Sequence, residues 1–177
     1  MNKSALPIAL SLGLAGATFA SAARTAENVA QAAPPATSIS APPVAGAQTS
    51  LQLAQSPKGS IKDPYIGNKA AIAEGAALFA GVGCPGCHGG GGGGGICPPL
   101  IDGVWIYGGD PDTLFRLIAL GSVDLQKQGY SRMAIESVVA PMPSFGSIIP
   151  KPDNILKIIA WIKSHYDAKG NPLPGNQ

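Results

Sequence analysis

The chain contains the stretch Cys84-Pro85-Gly86-Cys87-His88, which is followed directly by seven consecutive glycines. Two thiols lie three positions apart, and an imidazole comes immediately after the second of them. Thiols and imidazoles are the side chains that bind metals or form covalent links most readily. Whatever these side chains bind therefore decides the kind of domain that surrounds them.

The pattern C-x-x-C-H is the attachment sequence of c-type haem. Two thiols at this spacing can add to the two vinyl groups on one side of a porphyrin, and the following histidine is held beneath the iron. We therefore predict covalent attachment at Cys84 and Cys87, with His88 as an axial ligand of the iron. One haem c per chain is expected, because Cys97, the third cysteine, is not part of such a motif.

Three other interpretations of the motif compete with this one. A thioredoxin-like redox pair requires a strand-to-helix junction in a βαβ pattern, which the sequence does not contain. A zinc site would need Cys84, Cys87, His88 and Cys97 to coordinate across the glycine run. A structural disulfide between Cys84 and Cys87 would be strained. The haem interpretation is favoured over all three.

A low-spin haem iron needs a second axial ligand, for which the sequence offers Met133, Met142 and His165. Met142 lies between two prolines, which stiffen the backbone that would hold its thioether. Met133 lies in a more polar stretch, and any single methionine can simply fill a gap in a core. His165 falls on the wetter side of the last predicted helix, where a solvated histidine is the simpler interpretation.

Composition excludes several other functions. The net charge is only +2, so the chain has no dense basic surface with which to bind nucleic acid. Three cysteines are too few for a disulfide scaffold. The 24 glycines and 17 prolines approach the content of low-complexity sequence, which indicates that part of the chain is unfolded.

Three regions follow from the distribution of residue types. Residues 1–22 have Lys3, then an uncharged stretch, then the small residues Ala20-Ser21-Ala22, which predicts a cleaved signal peptide. The alternative is an uncleaved anchor that would tether the protein to a membrane. Residues 23–60 are rich in Ala and Pro and are predicted to be a disordered linker, and residues 61–177 are predicted to be the folded domain.

The domain is predicted to be all-α, with three main helices and long loops. The first follows Asn68 as its N-cap, presents Ile72, Ala76 and Phe79 on one face and ends near Gly81. The second has Asp110 as its N-cap and ends at Gly121; its apolar face is formed by Leu114, Leu117 and Ile118. The third begins at Pro152-Asp153 and ends at Lys169-Gly170; its apolar residues are Ile155, Ile158, Ile159, Ile162 and Tyr166.

Five ordered elements resemble those of a class I monohaem cytochrome c over essentially all of residues 61–177. They are Gly75-Ala76-Ala77-Leu78-Phe79, the motif at 84–88, Pro98-Pro99-Leu100, Met142-Pro143-Ser144-Phe145-Gly146 and Ile158-Ile159-Ala160-Trp161-Ile162. The resemblance implies the cytochrome c fold. It also implies that Gly75 and Phe79 pack the first helix across the last one, against Trp161. Met142 would be the second axial ligand, and the carbonyl of Pro98 would accept a hydrogen bond from His88 Nδ1.

A narrower similarity extends to bacterial exported cytochromes that accompany terminal oxidases or pyrroloquinoline-quinone alcohol dehydrogenases. It is carried by residues 63–68, the glycine run, residues 98–102 and Trp105-Ile106-Tyr107-Gly108. Two features depart from the family pattern. Cys97 replaces the usual glycine before the proline, and the segment 122–140 before Met142 is longer than usual.

We therefore expect an exported, periplasmic one-electron carrier rather than an enzyme, with His/Met ligation of its iron. Its partners would be redox proteins: a terminal oxidase, a quinoprotein alcohol dehydrogenase or another cytochrome. The alternatives are a haem enzyme or sensor with an open or labile distal position, and a zinc-binding structural module. Cys97 is expected to be a free thiol, since the glycine run gives it no fixed partner.

Overall fold

The computed structural model describes residues 48–136 and 139–166, so the predicted signal peptide and residues 23–47 of the predicted linker lie outside the described residues. Within these ranges the chain forms helices and no β-strand, which confirms the all-α prediction. The helices are α1 (Ser50–Leu53), α2 (Lys69–Gly81), α3 (Pro85–His88), α4 (Pro111–Lys127) and α5 (Pro152–Lys163). In the described part of the chain, no helix is both long enough and apolar enough to cross a membrane.

Helix α2 begins and ends where the sequence predicts. The Asn68 side chain accepts hydrogen bonds from the amides of Ala70 and Ala71, each at 3.1 Å, and the helix ends at Gly81. Its fully buried residues are Ala71, Gly75 and Phe79. The buried face of α2 therefore differs from the predicted one, since Ile72 and Ala76 are only half-buried. The buried face differs because α2 approaches α5 most closely at Gly75.

Helices α2 and α5 meet at that glycine. A Cβ atom on Gly75 would collide with the carbonyl oxygen of Lys157, so the two backbones are in direct contact. The rings of Phe79 and Trp161 pack against each other beside the crossing, with centroids 4.4 Å apart and an interplanar angle of 39°. An ion pair between Lys157 and Glu74 lies on the outer side. The helix crossing implied by the resemblance is thus present.

Helix α4 is longer than predicted. Asp110 caps its first turn by accepting a hydrogen bond from the amide of Thr113 at 3.0 Å. Gly121 interrupts the helix with φ 78° and ψ 167°, but the helix resumes and continues to Lys127. The interruption has a tertiary cause, because a Cβ on Gly121 would lie 2.7 Å from the carbonyl oxygen of Met142.

Helix α5 is shorter than predicted. It ends at Lys163, well before Lys169-Gly170, and Ser164 forms its C-cap. The Ser164 hydroxyl donates a hydrogen bond to the carbonyl of Trp161 at 2.6 Å, which satisfies a group that the last turn leaves open. Tyr166 is buried, as its apolar position suggested, but it lies beyond the helix and donates from its hydroxyl to the carbonyl of Leu100 at 2.7 Å.

The predicted linker boundary at residue 60 is wrong, because residues 48–60 pack on the domain. Thr49 and Gln52 form a capping box that starts α1. The buried Ser50 donates from its hydroxyl to the carbonyl of Ile149 at 2.6 Å, and Ala54 has no exposed surface. The folded unit therefore includes these thirteen residues. They were predicted to be linker because the sequence around them is rich in Ala and Pro.

A buried arginine joins this segment to α4. Arg116 is 1% exposed and forms an ion pair with Asp112, one turn earlier on the same helix, at 2.8 Å. Its remaining donors reach the carbonyl oxygens of Ala54 at 2.7 Å and Pro57 at 2.8 Å. Asp112 in turn accepts a hydrogen bond from the amide of Ile61 at 2.9 Å. Since a buried charge is tolerated only when it is paired and hydrogen-bonded, this network requires the N-terminal segment.

The same network perturbs the carboxyl group. Burial alone would raise the pKa of Asp112, but the hydrogen bonds from Arg116 and from the amides of Ile61 and Gly59 lower the pKa to about 2. Asp112 is therefore held in its charged form across the ordinary pH range.

We predict that removing residues 23–60 from the chain destabilises the domain, whereas removing only residues 23–47 does not. The larger deletion takes away two carbonyl acceptors of a buried guanidinium, at a cost of about 3 kcal/mol in the free energy of unfolding. Urea unfolding of the full chain and the two deletion variants measures this cost. Equal unfolding midpoints for the two deletions would contradict the packing role of residues 48–60.

We predict that Asp112 contributes about 2 kcal/mol to the free energy of unfolding at neutral pH. This value follows from the lowering of its pKa, from 3.8 in the unfolded chain to about 2 in the folded protein. Because the folded pKa is the lower one, this contribution is complete above pH 5 and is lost as the pH falls from about 4 to 2. Denaturant unfolding at a series of pH values should show this loss in the wild-type protein but not in Asp112→Asn. Asp124→Asn, which alters an exposed ion pair on the same helix, is the matched control and should keep the wild-type profile.

Candidate functional site

A cavity of about 330 Å³ lies between α2, α4 and α5. Its walls come from all the longer helices and from the loops between them, and they are mainly apolar. Aromatic and aliphatic residues of this wall include Phe79, Leu100, Trp105, Tyr107, Leu114, Leu117, Ile118, Ile158 and Ile162. Such a cavity suits a large, mostly apolar ligand.

The C-x-x-C-H motif forms part of this wall. Cys84 precedes the short helix α3, Pro85 occupies its first position, and the amide of His88 donates to the carbonyl of Cys84 at 3.0 Å. Both Cys84 and His88 line the cavity. The helical turn thus places a thiol and an imidazole side by side on one wall.

The His88 ring is held by one hydrogen bond. Its Nδ1 lies 2.8 Å from the carbonyl oxygen of Pro98, which is the contact that the resemblance implied. A carbonyl oxygen can only accept, so Nδ1 carries a proton, and in the neutral ring Nε2 keeps its lone pair. The histidine therefore offers Nε2 as a ligand atom, in the neutral tautomer that metal binding requires.

The glycine run folds back onto the motif. The amide of Gly94 donates to the carbonyl of His88 at 2.9 Å, and the amide of Leu100 donates to the carbonyl of Gly92 at 2.7 Å. A Cβ on Gly95 would lie 2.7 Å from the carbonyl oxygen of Cys87. A side chain would therefore not fit at Gly95, and the compact loop brings Pro98 within reach of the His88 ring.

Cys97 is a free thiol, as expected, but its backbone has fixed hydrogen-bond partners. Its amide donates to the carbonyl of Cys87 at 3.1 Å, and its carbonyl accepts from the amide of Gly95 at 3.1 Å. Cys97 also lines the cavity. The sequence did not reveal these partners, because a glycine run constrains the chain through backbone hydrogen bonds that side-chain patterns do not show.

Met142 is anchored to the interruption of α4. Its amide donates to the hydroxyl of Ser122 at 3.0 Å, and the amide of Ser122 donates to the carbonyl of Met142 at 2.9 Å. Phe145 continues this pairing by donating to the carbonyl of Ile118 at 2.9 Å. The half-buried Met142 side chain lines the cavity. Two reciprocal hydrogen bonds, in addition to the flanking prolines, therefore set its backbone.

The other two candidate ligands lie elsewhere. Met133 is 71% exposed and is not part of the cavity wall. The His165 ring makes an edge-on contact with Trp161 at a centroid distance of 5.0 Å, and its Nδ1 lies 3.0 Å from the carbonyl oxygen of Trp161. Of the three residues, Met142 alone contributes to the wall of the cavity.

One edge of the cavity is polar, which sequence analysis missed. Arg132 and Glu136 both line it, and Arg132 donates to the carbonyl of Glu136 at 2.9 Å. Burial first, and then the charge of Asp102 and a hydrogen bond with it, raises the pKa of Glu136. Residues 126–137 show no apolar periodicity, so nothing in the sequence placed them at the cavity. A ligand with a polar end would suit this combination of walls.

The zinc alternative is not supported by the geometry. Among the described residues, no group of three or more His, Cys, Asp or Glu side chains is placed to hold a metal ion. Cys84, Cys87, Cys97 and His88 therefore do not form a four-ligand cluster, although they lie within one small region of the chain.

Comparison with known proteins identifies the class of site. The Cytochrome c family model matches residues 72–165, which is more than half of the 177-residue chain. Among solved structures, cytochrome CL from the marine methylotrophic bacterium Methylophaga aminisulfidivorans MPT is similar, at 28% identity and a TM-score of 0.43. The similarity covers 58% of this chain and 60% of that one, so the chain spans less than two thirds of that cytochrome's length. No curated protein matches the chain.

We predict that Gly95→Ala lowers the free energy of unfolding by about 1–3 kcal/mol, because the added methyl group would push against the carbonyl of Cys87. Gly93→Ala is the matched control, since a Cβ there meets nothing within 4 Å. Chemical unfolding of the two variants tests the prediction. An equal effect of both changes would show that the loop does not fold back in the manner described.

Proposed function

Because the chain belongs to the cytochrome c family, we propose that it is an exported one-electron carrier whose haem iron is held by His88 and Met142. Members of this family transfer electrons and carry covalently attached haem c. The observation that carries the proposal is that Cys84, His88 and Met142 all line one apolar cavity, with the His88 tautomer set for ligation.

The residues of the site fit a covalent haem. The motif supplies two thiols for thioether links, at Cys84 and Cys87, and the neutral imidazole and the thioether are the donors that low-spin haem iron accepts. The wall is apolar with one polar edge, which matches a macrocycle with two carboxylates. When bound, the haem supplies one-electron storage at its iron.

His88 and Pro98 act together. The carbonyl of Pro98 keeps the Nδ1 proton in place, which fixes the orientation of the ring and increases the basicity of Nε2. The hydrogen bonds between the glycine run and the motif hold Pro98 in register. The loop thereby positions an axial ligand although none of its own side chains takes part.

Met142 supports electron transfer rather than catalysis. Its thioether is a soft neutral donor, and the apolar wall disfavours additional charge, so both favour the less charged ferrous state. The hydrogen bonds with Ser122 hold the methionine backbone in one position, which limits reorganisation between oxidation states. The peroxidase-like or sensor alternative requires this position to be open or labile, and nothing in the geometry of Met142 favours it over the carrier.

The surface around the cavity suits transient docking with another redox protein. Val104, Val123 and Val139 line the cavity and are 40%, 49% and 76% exposed. Small interfaces of this kind are typical of electron-transfer partners. From the residue pattern shared with exported bacterial cytochromes, we propose a terminal oxidase, a quinoprotein alcohol dehydrogenase or another cytochrome as the partner. The predicted signal peptide at 1–22 supports an exported, periplasmic location.

Spectroelectrochemical titration of the purified full chain tests the carrier function. We expect one reversible one-electron wave, low-spin spectra in both oxidation states and a mass that exceeds the polypeptide by one haem. High-spin spectra that change on addition of peroxide or carbon monoxide would favour the enzyme or sensor alternative. A chain without any haem absorption would contradict the proposal entirely.

Replacement of the distal ligand tests the assignment of Met142. Met142→Ala should produce a mainly high-spin or ligand-exchangeable iron and lower the midpoint potential, within the range of roughly 0.8 V that axial ligands span. Met133→Ala is the matched control and should leave both the spectrum and the potential unchanged, because Met133 is exposed. The assignment is wrong if Met142→Ala keeps the low-spin spectrum.

A further inference from the structure

Glu136 brings a covered carboxyl oxygen to the polar edge of the cavity. The residue is half-buried and lines the cavity together with Arg132. Its Oε2 atom is fully buried, and no donor in the described part of the chain forms a hydrogen bond with it. A buried carboxylate oxygen without a donor is unfavourable, and a proton on the carboxyl group removes the charge that causes the cost.

The neighbouring arginine does not neutralise this carboxyl group by an ion pair. Nη2 of Arg132 donates to the backbone carbonyl of Glu136 at 2.9 Å, so the hydrogen bond bypasses the side chain. None of the salt bridges between described residues includes Glu136. Arg132 is also exposed, and solvent weakens the field of an exposed charge. The carboxyl group therefore faces the cavity without a bound counter-ion from the protein.

Three other titratable or charged groups face Glu136. Arg132 comes from its own segment, Asp102 from the loop after Pro99, and Cys97 lines a small pocket together with Glu136. Burial is the main cause that raises the pKa of Glu136, and the negative charge of Asp102 raises it further. The positive charge of Arg132 lowers this pKa, but by less. The surroundings thus favour the protonated carboxyl more than water does.

Electron transfer changes the charge inside the cavity that Glu136 lines. An electron accepted there adds one negative charge to a mainly apolar region, where charges interact more strongly than they do in water. A carboxyl group beside an added negative charge binds its proton more tightly. The affinity of Glu136 for a proton is therefore higher in the reduced domain than in the oxidised one.

We propose that Glu136 takes up one proton when the domain accepts an electron and releases it when the electron leaves. The proposal rests on the proposed carrier function and extends it. The electron comes from the redox partner and the proton from water, and an O–H bond forms at the Glu136 carboxyl group. Oxidation returns the electron to the next partner, breaks the O–H bond and returns the proton to water. The net charge of the domain then stays the same in both oxidation states.

The pH dependence of the midpoint potential tests the proposal in the haem-bound full chain. Wild type and Glu136→Gln are titrated between about pH 4 and 9, at the pH values where both proteins give low-spin spectra. Only the wild type acquires a charge at residue 136 as the pH rises, so its potential should fall progressively further below that of the variant. Other titrating groups are present in both proteins. A difference that stays constant over the whole range, zero included, would overturn the proposal.

Two further variants make the result specific to Glu136. Glu74→Gln removes an exposed carboxylate on the outer side of the α2–α5 crossing and should follow the wild-type profile. Asp102→Asn removes a negative charge that raises the pKa of Glu136, so the fall in potential should persist but begin at lower pH. If the fall disappears in Asp102→Asn and persists in Glu136→Gln, the proton belongs to Asp102 and the proposal is wrong.

Infrared difference spectra of the reduced minus the oxidised protein detect the proton directly. Within the pH range of the titration, the reduced state should gain a carboxylic acid C=O band that shifts in D₂O and is lost in Glu136→Gln. The absence of any band that depends on Glu136 would overturn the proposal. A chain without a reversible one-electron wave refutes the carrier function itself. A reversible wave with a constant difference between the two proteins refutes only the role of Glu136, so the two failures are distinguishable.

Discussion

The contact of Gly75 with the backbone of Lys157 is the constraint on which the other parts of the structure depend. Only a residue without a side chain allows α2 and α5 to meet backbone to backbone, and this close approach brings Phe79 against Trp161. Helix α2 leads into the C-x-x-C-H motif after only two residues. Its position on α5 therefore determines where Cys84 and His88 face the cavity.

The glycine run forms a compact loop that packs against the C-x-x-C-H motif. Chains rich in glycine lose more conformational entropy on folding than other chains, so seven consecutive glycines are costly unless the loop is needed. Here the loop makes hydrogen bonds to His88 and Leu100 and passes so close to Cys87 that a side chain at Gly95 would not fit. What the domain gains is a Pro98 carbonyl in contact with His88 and a third cysteine whose amide is hydrogen-bonded to the carbonyl of Cys87.

Helix α4 fixes the backbone of Met142 on the other side of the site. At the interruption, the amide of Ser122 donates to the carbonyl of Met142 instead of to the helix, and the Ser122 hydroxyl accepts from the amide of Met142. One turn before the interruption lies Arg116, whose guanidinium ties the helix to residues 54–57. Residues 48–60, which were predicted to be part of the linker, thus stabilise the helix that positions a proposed axial ligand.

The sequence by itself determined the chemistry of the site and the existence of the main helices. Adjacent residues carry those signals: the motif at 84–88, the N-caps Asn68 and Asp110, and the apolar period of α5. Tertiary structure alone decided the ends of α4 and α5, the packing of residues 48–60, the polar edge at Arg132 and Glu136, and the contact of Cys97 with Cys87. Each of these depends on backbone groups or charges that are paired across long separations in the chain, such as Arg116 with Ala54. Local residue patterns record propensity and periodicity, whereas a partner for a buried backbone group or charge exists only once the chain has folded.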